Sequence, residues 1–241
     1  MGKTVKTVFT AIIAVVVLLM LATYIIEEFI GIVKYTPAVP SAPARPGIVA
    51  DIARGETRNL VFGGYTWRVL DMQEDCALVI TEGVIEMRPY HIWERDARAT
   101  WETCTLRVYL NDYFYREFSA QEQAIIRETL NTNTDNQWYG TNGGSSTSDK
   151  VFLLSLDEAV KYFGDSGQLD NSRPDGVYWL DDQYNSERAA TINEQSIGWW
   201  LRSPGACPDE AVYVGRHGGF FICGGPVQTA QGVRPALWIG L

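Results

Sequence analysis

Short apolar runs that end at turn residues recur through the last three-quarters of the chain, and they predict a fold built largely from β-strands. Two strands are predicted between Asn59 and Asp71, with a turn at Gly63 and Gly64, and a third over Cys76–Thr81. Consecutive strands joined by short turns form a β-meander. We therefore expect a meander at the start of the globular part.

The C-terminal stretch shows the same pattern. The apolar run Trp199–Leu201 and the run that ends at Ile239 predict two buried strands. Between them, Ala211–Gly215 and Phe220–Cys223 predict a hairpin, because the glycines at its tip allow positive φ. The pattern predicts a small antiparallel sheet at the C-terminus.

Helical signals lie in the middle of the chain. Apolar residues spaced by three to five positions predict a helix over Trp101–Phe118. Capping-box patterns at Ser119 and Ser155 open two more, the first expected to run through Leu130 and the second through Phe163. The polar stretch 131–148 is interpreted as a long surface loop and Val151–Leu154 as a buried strand.

The N-terminus has a different pattern. No charged residue occurs from Thr7 to Ile26, and a helix of that length rises about 30 Å, the thickness of a bilayer core. The site for signal-peptide cleavage is poor, which favours an uncleaved anchor. Lysines before the run and glutamates after it place the N-terminus in the cytoplasm. We expect a single-pass membrane protein with three parts: an anchor over 1–34, a proline-rich stalk over 35–47 and an extracytoplasmic domain over 48–241.

Composition narrows the classes of partner. The 241 residues carry a formal net charge of −9, and an acidic surface disfavours contact with a phosphate backbone. Nucleic acid is therefore not expected as a partner. Neither His91 nor His217 accompanies a nucleophile motif, and the Asp-rich stretch 165–182 does not follow the EF-hand spacing. No metal, cofactor or catalytic residue is predicted.

The four cysteines would be exported with the domain, where disulfides form. Cys207 and Cys223 flank the predicted hairpin, so we expect them to be close enough to pair. Cys76 and Cys104 lie in apolar surroundings, where a buried free thiol is the commoner role.

Arg202 and Arg234 each follow an apolar run closely and precede a proline. A buried guanidinium needs several acceptors, which strand-end carbonyls or a carboxylate supply. We interpret both as structural residues that tie loops to the sheet.

Aromatic residues beside Ser, Gly and Asn on predicted loops are typical of a recognition surface. The alternative is that half or more of these aromatics belong to the core, because most of the eight tryptophans must be buried somewhere. The set on predicted loops comprises Trp138, Tyr139, Tyr178, Trp179, Tyr184, Tyr213, Phe220 and Phe221, with Arg216 and His217 among them.

Five motifs in order resemble those of a bacterial surface-domain family of unknown function. They are Tyr65–Leu70 (YTWRVL), Thr100–Asn111 (TWETCTLRVYLN) followed by Phe114, Val151–Ser155 (VFLLS), Trp200–Gly205 (WLRSPG) and Gly232–Trp238 (GVRPALW). The resemblance covers about residues 48–241. It implies an α+β, C-type-lectin-like fold of antiparallel sheets with two to three short helices, related to formylglycine-generating enzymes and to the variable proteins of diversity-generating retroelements. Trp238 belongs to the apolar run that ends at Ile239, and we interpret it as a structural residue.

The same resemblance implies an exposed ligand face over Ala206–Gln231. The calcium–sugar motifs of true C-type lectins are missing from this sequence. Formylglycine-generating enzymes use a cysteine pair near the C-terminus, and here only Cys207 and Cys223 are candidates.

We therefore expect a membrane-anchored extracytoplasmic module that binds or displays an extracellular protein or glycan, without catalysis. Its predicted ligand-binding residues are Tyr213, Arg216, His217, Phe220, Phe221 and Trp138. Because neighbouring strand residues face opposite sides, one of Phe220 and Phe221 is expected in the core. The alternatives are an oxidase-like enzyme that uses Cys207 and Cys223, and a structural component of the cell envelope.

Overall fold

A computed structural model describes residues 59–92, 98–164, 167 and 179–241 of the chain. The predicted anchor, the predicted stalk and residues 48–58 lie outside these residues, so the domain boundaries stay predictions. In the described part, no helix is both long enough and apolar enough to cross a membrane.

The described residues form an α+β domain, mostly β-sheet, with few and short helices. The strands are β1 (Asn59–Phe62), β2 (Tyr65–Met72), β3 (Cys76–Thr81), β4 (Glu86–Pro89), β5 (Ile126–Arg127), β6 (Thr129–Asn131), β7 (Thr147–Asp149), β8 (Trp179–Leu180), β9 (Ala190–Ile192), β10 (Gln195–Ile197), β11 (Trp199–Pro204), β12 (Glu210–Val214), β13 (Phe220–Pro226), β14 (Ala230–Val233) and β15 (Ala236–Gly240). The α-helices are α1 (Thr105–Tyr109), α2 (Ala120–Ile125), α3 (Leu156–Phe163) and α4 (Asn185–Arg188). A π-helical turn, Leu110–Phe114, and a 3₁₀ turn, Tyr115–Glu117, prolong α1.

Two larger sheets organise these elements. One has five strands in the order β1-β2-β3-β15-β5, and the other has six in the order β4-β14-β11-β12-β13-β8. Two-stranded ribbons, β9 with β10 and β6 with β7, complete the pairing among the described residues. The core contains large, fully buried side chains, among them Trp67, Trp101, Trp199, Trp200, Phe114 and Phe152.

The predicted meander is confirmed. The β1–β2 turn uses Gly63 at φ 58° and Gly64 at φ 79°, the left-handed values that a two-residue hairpin loop requires. Strand β3 pairs with β2 on one side and β15 on the other, and all six of its residues are buried. Both capping boxes are also present, at Ser119 with Glu122 and at Ser155 with Glu158.

The prediction that the C-terminal strands form one antiparallel sheet is wrong, because these strands belong to two different sheets. Strand β15 joins the meander, where Leu237 pairs with Val79, while β11 and β14 lie in the other sheet and pair in parallel. Pro235, between β14 and β15, accepts a hydrogen bond from the amide of Thr81 (3.0 Å). The chain therefore passes from one sheet to the other at this proline.

Three predictions in the middle of the chain also need correction. The predicted helix over Trp101–Phe118 begins only at Thr105, after the N-cap Cys104. Helix α2 ends at Ile125 instead of continuing through Leu130, because Ile126 pairs with Ile239 of the last strand. The predicted strand Val151–Leu154 is buried but is bridged only at Phe152, to Ala236.

The predicted surface loop 131–148 is partly inside the domain. Its ends form β6 and β7, and Asn136 is buried. The Asn136 Nδ2 atom donates to the carbonyls of Pro204 (2.9 Å) and Ile222 (3.0 Å). A buried amide that is hydrogen-bonded in this way fixes the loop against β11 and β13.

Candidate functional site

The hairpin of β12 and β13 ends in a tight turn that carries two predicted site residues, Arg216 and His217. The amide of Gly218 donates to the carbonyl of Gly215, and that of Gly215 donates to the carbonyl of Gly219, both over 2.8 Å. Gly218 has φ 90°, which favours glycine.

Helix α4 packs against this turn and holds it in place. The Nε atom of buried Arg188 donates to the carbonyl of Gly218 over 2.7 Å. A Cβ atom at Gly218 would lie 1.7 Å from the carbonyl oxygen of Asn185, so only glycine lets the turn approach the helix this closely. The turn is therefore set by a tertiary contact as well as by its own sequence.

Three aromatic side chains stand side by side on one face of the six-stranded sheet, one on each of β12, β13 and β8. Tyr213 pairs with Phe221, and Phe221 pairs with Trp179. The rings of Tyr213 and Phe221 are stacked, with centroids 4.6 Å apart and planes 7° apart. We call Tyr213, Phe221 and Trp179 the aromatic row.

The aromatic row becomes more exposed toward the edge of the sheet. At its inner end, Tyr213 makes an edge-to-face contact with fully buried Trp200, with centroids 6.0 Å apart. At its outer end, Trp179 is 51% exposed. The row is therefore anchored in the core at one end and open to solvent at the other.

The aromatic row lines a groove of about 690 Å³. Arg216 and His217 from the hairpin turn, Asp181 after β8, and Gln231 of β14 also line it. The Nε atom of Arg216 donates to the Nε2 atom of His217 (3.0 Å), and Asp181 accepts from the Nδ2 atom of Asn185 (2.9 Å). Among the described residues that line it, the groove thus combines aromatic rings with the cationic side chain of Arg216 and the anionic side chain of Asp181.

The structure brings four of the six predicted ligand-binding residues together in this groove: Tyr213, Arg216, His217 and Phe221. Phe220 is 1% exposed, and its ring lies 4.3 Å from the Arg188 guanidinium carbon. Because side chains alternate along β13, Phe220 faces the core and Phe221 faces the groove. The prediction of Phe220 as a ligand contact is therefore corrected.

Trp138 does not line the groove, so its prediction as part of one common surface is also corrected. It lies on the loop fixed by Asn136 and lines a separate cavity of about 190 Å³ with Asp135 and Asp157. Hydrogen bonds from the Trp138 and Tyr139 amides to the Asn136 side-chain oxygen hold it there.

Sequence reasoning did not select Asp181 and Gln231, and it named Trp179 only among loop aromatics. No local signal marks these three, because they reach the groove through strand pairing with distant segments. Trp179 pairs with Phe221 across β8 and β13, and Gln231 pairs with Arg88 across β14 and β4.

The two arginines predicted to be structural are buried and bonded to backbone carbonyls. Arg202 donates to the carbonyl of Leu153 (2.8 Å) and, through Nη2, to Glu158 (2.8 Å). Arg234 donates to the carbonyls of Thr81 (2.8 Å) and Glu82 (3.0 Å). Trp238, also predicted as structural, is half-buried in β15 between Leu78 and Arg127.

All four cysteines are free thiols in this structure, so the predicted disulfide between Cys207 and Cys223 is not formed. The two segments are nevertheless adjacent, since the amide of Ala206 donates to the carbonyl of Cys223 (2.7 Å). The Sγ atom of Cys223 instead points toward the carbonyl of Gly224, at 3.6 Å. Cys76 and Cys104 are buried, as expected.

The Cys207 thiol is expected to alkylate more slowly than a cysteine in a short peptide. Glu210, and to a lesser extent Asp209, raise the pKa of Cys207, so the reactive thiolate appears only at higher pH. Glu210→Gln should move the midpoint of the rate against pH to lower pH. Iodoacetamide labelling followed by peptide mass mapping measures this, and an unchanged midpoint would contradict it.

Among the described residues, no group of three or more His, Cys, Asp and Glu side chains is arranged to hold a metal ion. No curated protein and no solved structure matches the chain significantly. A family model does match, over residues 74–241. This match covers the aromatic row, the hairpin turn and the strands that support them, so the chain belongs to the DUF6273 family, a family of domains of unknown function.

Proposed function

We propose that this protein is a non-catalytic module that binds or displays an extracellular ligand through the groove. In this proposal an N-terminal span anchors the chain in the cell membrane and the domain lies outside. The finer assignment of the fold as C-type-lectin-like is part of the proposal. It rests on the five ordered sequence motifs and fits the antiparallel pairing that dominates both sheets.

The observation that carries the proposal is the aromatic row that lines the groove. Aromatic rings bury a large area on binding and lose little rotamer freedom. The groove volume, about 690 Å³, falls within the usual range for ligand sites. Arg216 adds a planar fork of donors to the lining of the groove, and its Nε atom donates a hydrogen bond to His217.

The oxidase-like alternative has less support from the side chains. A cysteine that acts as a nucleophile or a metal ligand needs a lowered thiol pKa, and the carboxylates near Cys207 raise it instead. Cys207 and Cys223 also lie outside the lining of the groove. These observations favour the binding module.

Arg216→Ala and His217→Ala should each weaken ligand binding about tenfold, a loss of roughly 1.4 kcal/mol. Both side chains are exposed, so the melting temperature should change little. The ligand would first be found by probing glycan and protein arrays with the full chain in detergent, and affinities would then be measured by calorimetry. Trp138→Ala, outside the groove, is the matched control. Unchanged affinity in both groove variants would place the binding face elsewhere.

The topology has its own test. Protease added to intact cells should remove the domain and leave a small anchored fragment, because only the N-terminal span is expected to be protected. Antibodies against each end of the chain would follow the two products. A domain that is protected until the cells are lysed would refute the proposed orientation.

A further inference from the structure

Strand β10 has an outer edge, on the side away from β9, that the geometry of its turn defines. The ribbon of β9 and β10 turns at Asn193 (φ 50°) and Glu194 (φ 66°), the positive φ values of a type I′ turn. In such a turn the amide of Gln195 donates to the carbonyl of Ile192, so the Gln195 amide points toward β9. Because these directions alternate along a strand, the amide and carbonyl of Ser196 point to the outer edge.

The residue opposite Ser196 supports this alternation. Thr191 pairs with Ser196, and its carbonyl accepts from the amide of Val84 (3.0 Å), which lies outside the ribbon. A Cβ atom at Gly83 would lie 2.8 Å from the same oxygen, so this side of β9 is covered. In the described part of the chain, the amide and carbonyl of Ser196 have no such partner. Ser196 is exposed and, together with Ile197, lines the groove.

We propose that the groove binds an extended, basic segment of another protein, whose main chain adds a strand to the outer edge of β10. This inference rests on the proposed function, since it takes the groove as the binding face and names the class of its ligand. An added strand offers a carbonyl to the amide of Ser196 and an amide to its carbonyl. The side chains of the segment then contact the rest of the groove.

The exposed end of the aromatic row suits a cationic side chain of such a segment. Trp179 pairs with Phe221 across the strands, yet its ring contacts no other aromatic ring among the described residues. The Trp179 side chain is 51% exposed. An indole ring attracts a guanidinium or ammonium group placed over its face. Asp181, two positions further on, also lines the groove and supplies a carboxylate for the same charge.

The net charge of the chain also favours a basic partner. The 241 residues carry a formal net charge of −9, and a field of one sign attracts a partner of the other. A second copy of this chain would carry the same net charge and is therefore disfavoured. Arg216, the cation in the lining, offers its Nη donors to carbonyls of the added strand.

Calorimetric titration of the full chain, in detergent, with a synthetic hexapeptide tests the charge of the segment. The peptide alternates arginine and valine, and its ends are acetylated and amidated, so that it favours an extended chain. Binding is expected at roughly 1 mM peptide or below. The same peptide with glutamate in place of arginine should bind at least about tenfold more weakly. Asp181→Asn should weaken binding of the arginine peptide and reduce its dependence on salt.

Ser196→Pro tests the added strand. Proline removes the outward amide of Ser196 but no hydrogen bond of the ribbon, and an edge strand tolerates it where the N–H faces away from the sheet. This variant should bind the arginine peptide about tenfold more weakly, with a nearly unchanged melting temperature. Ser196→Ala keeps the amide and is the matched control, which should bind as the natural chain does.

The peptide gives a second test that does not depend on how Ser196→Pro folds. One version carries N-methyl groups on the arginine amides, and the other carries them on the valine amides. Only alternate amides of an added strand face β10, so one version should bind about tenfold more weakly than the other.

The inference would be overturned if the arginine peptide did not bind at roughly 1 mM, or if the two N-methylated versions bound equally. A folded Ser196→Pro variant with full affinity for the peptide would also overturn it. None of these results affects the proposed function, which fails only if Arg216→Ala and His217→Ala keep full affinity for the ligand found on the arrays.

Discussion

Replacing Arg234 by alanine is expected to lower the free energy of unfolding by at least about 3 kcal/mol. The side chain is fully buried and donates to the carbonyls of Thr81 and Glu82. Its guanidinium carbon also lies 5.0 Å from the ring centroid of Trp199 and 5.2 Å from that of Phe163. Truncation leaves carbonyls without their donor at the point where the chain crosses between the sheets.

Burial lowers the pKa of Arg234 to about 9, which still leaves the guanidinium charged at neutral pH. The carbonyls and the two rings must therefore offset the cost of burying a cation. Arg234→Lys keeps the charge but loses the planar fork, so it should be intermediate in stability.

Urea unfolding of the full chain, followed by circular dichroism, measures these differences. The control is Arg216→Ala, which removes an exposed arginine and should change stability by less than about 0.5 kcal/mol. An Arg234→Ala variant as stable as Arg216→Ala would show that the buried arginine contributes nothing to the junction of the sheets.

Gly218→Ala is expected to cost roughly 3 kcal/mol or more and to abolish binding in the groove. Part of the cost, about 1–2 kcal/mol, comes from a Cβ atom at positive φ. The rest comes from the carbonyl oxygen of Asn185, only 1.7 Å from the new atom. To relieve this contact, the turn must move away from α4, which breaks the hydrogen bond from Arg188 and displaces Arg216 and His217.

Gly64→Ala is the matched control for this variant. Gly64 has φ 79°, but no atom lies within 4 Å of a Cβ atom built there. Gly64→Ala should therefore lose only the roughly 1–2 kcal/mol of stability that a Cβ atom at positive φ costs. It should keep full affinity for the groove ligand. If the two variants were equally stable and both bound the ligand, the contact between the turn and α4 would not position the site.

The two phenylalanines of β13 show where sequence reasoning about the site was strong. Alternation along a strand required that one of Phe220 and Phe221 face the core, and the structure buries Phe220. Which of the two faces the groove depends on the register with β12 and β8, because Tyr213 and Trp179 fix the side on which Phe221 lies. A pattern within one strand contains no information about that register.

Asn136 shows where such reasoning failed. A polar, glycine-rich stretch is typical of a surface loop, and composition gave no reason to bury one asparagine of several. Asn136 is buried because its side-chain amide donates hydrogen bonds to the carbonyls of Pro204 and Ile222. These partners are distant in sequence, so no local window contains them.

Taken by itself, the sequence determined the elements whose causes are local. The Gly63–Gly64 turn and the two capping boxes follow from backbone preferences and hydrogen bonds within a few residues. Only the tertiary structure decided which strands pair, that β15 joins the meander, and that Trp179 completes the aromatic row. These contacts join distant segments, and their stability comes from burial shared across the whole domain, which no short stretch of sequence specifies.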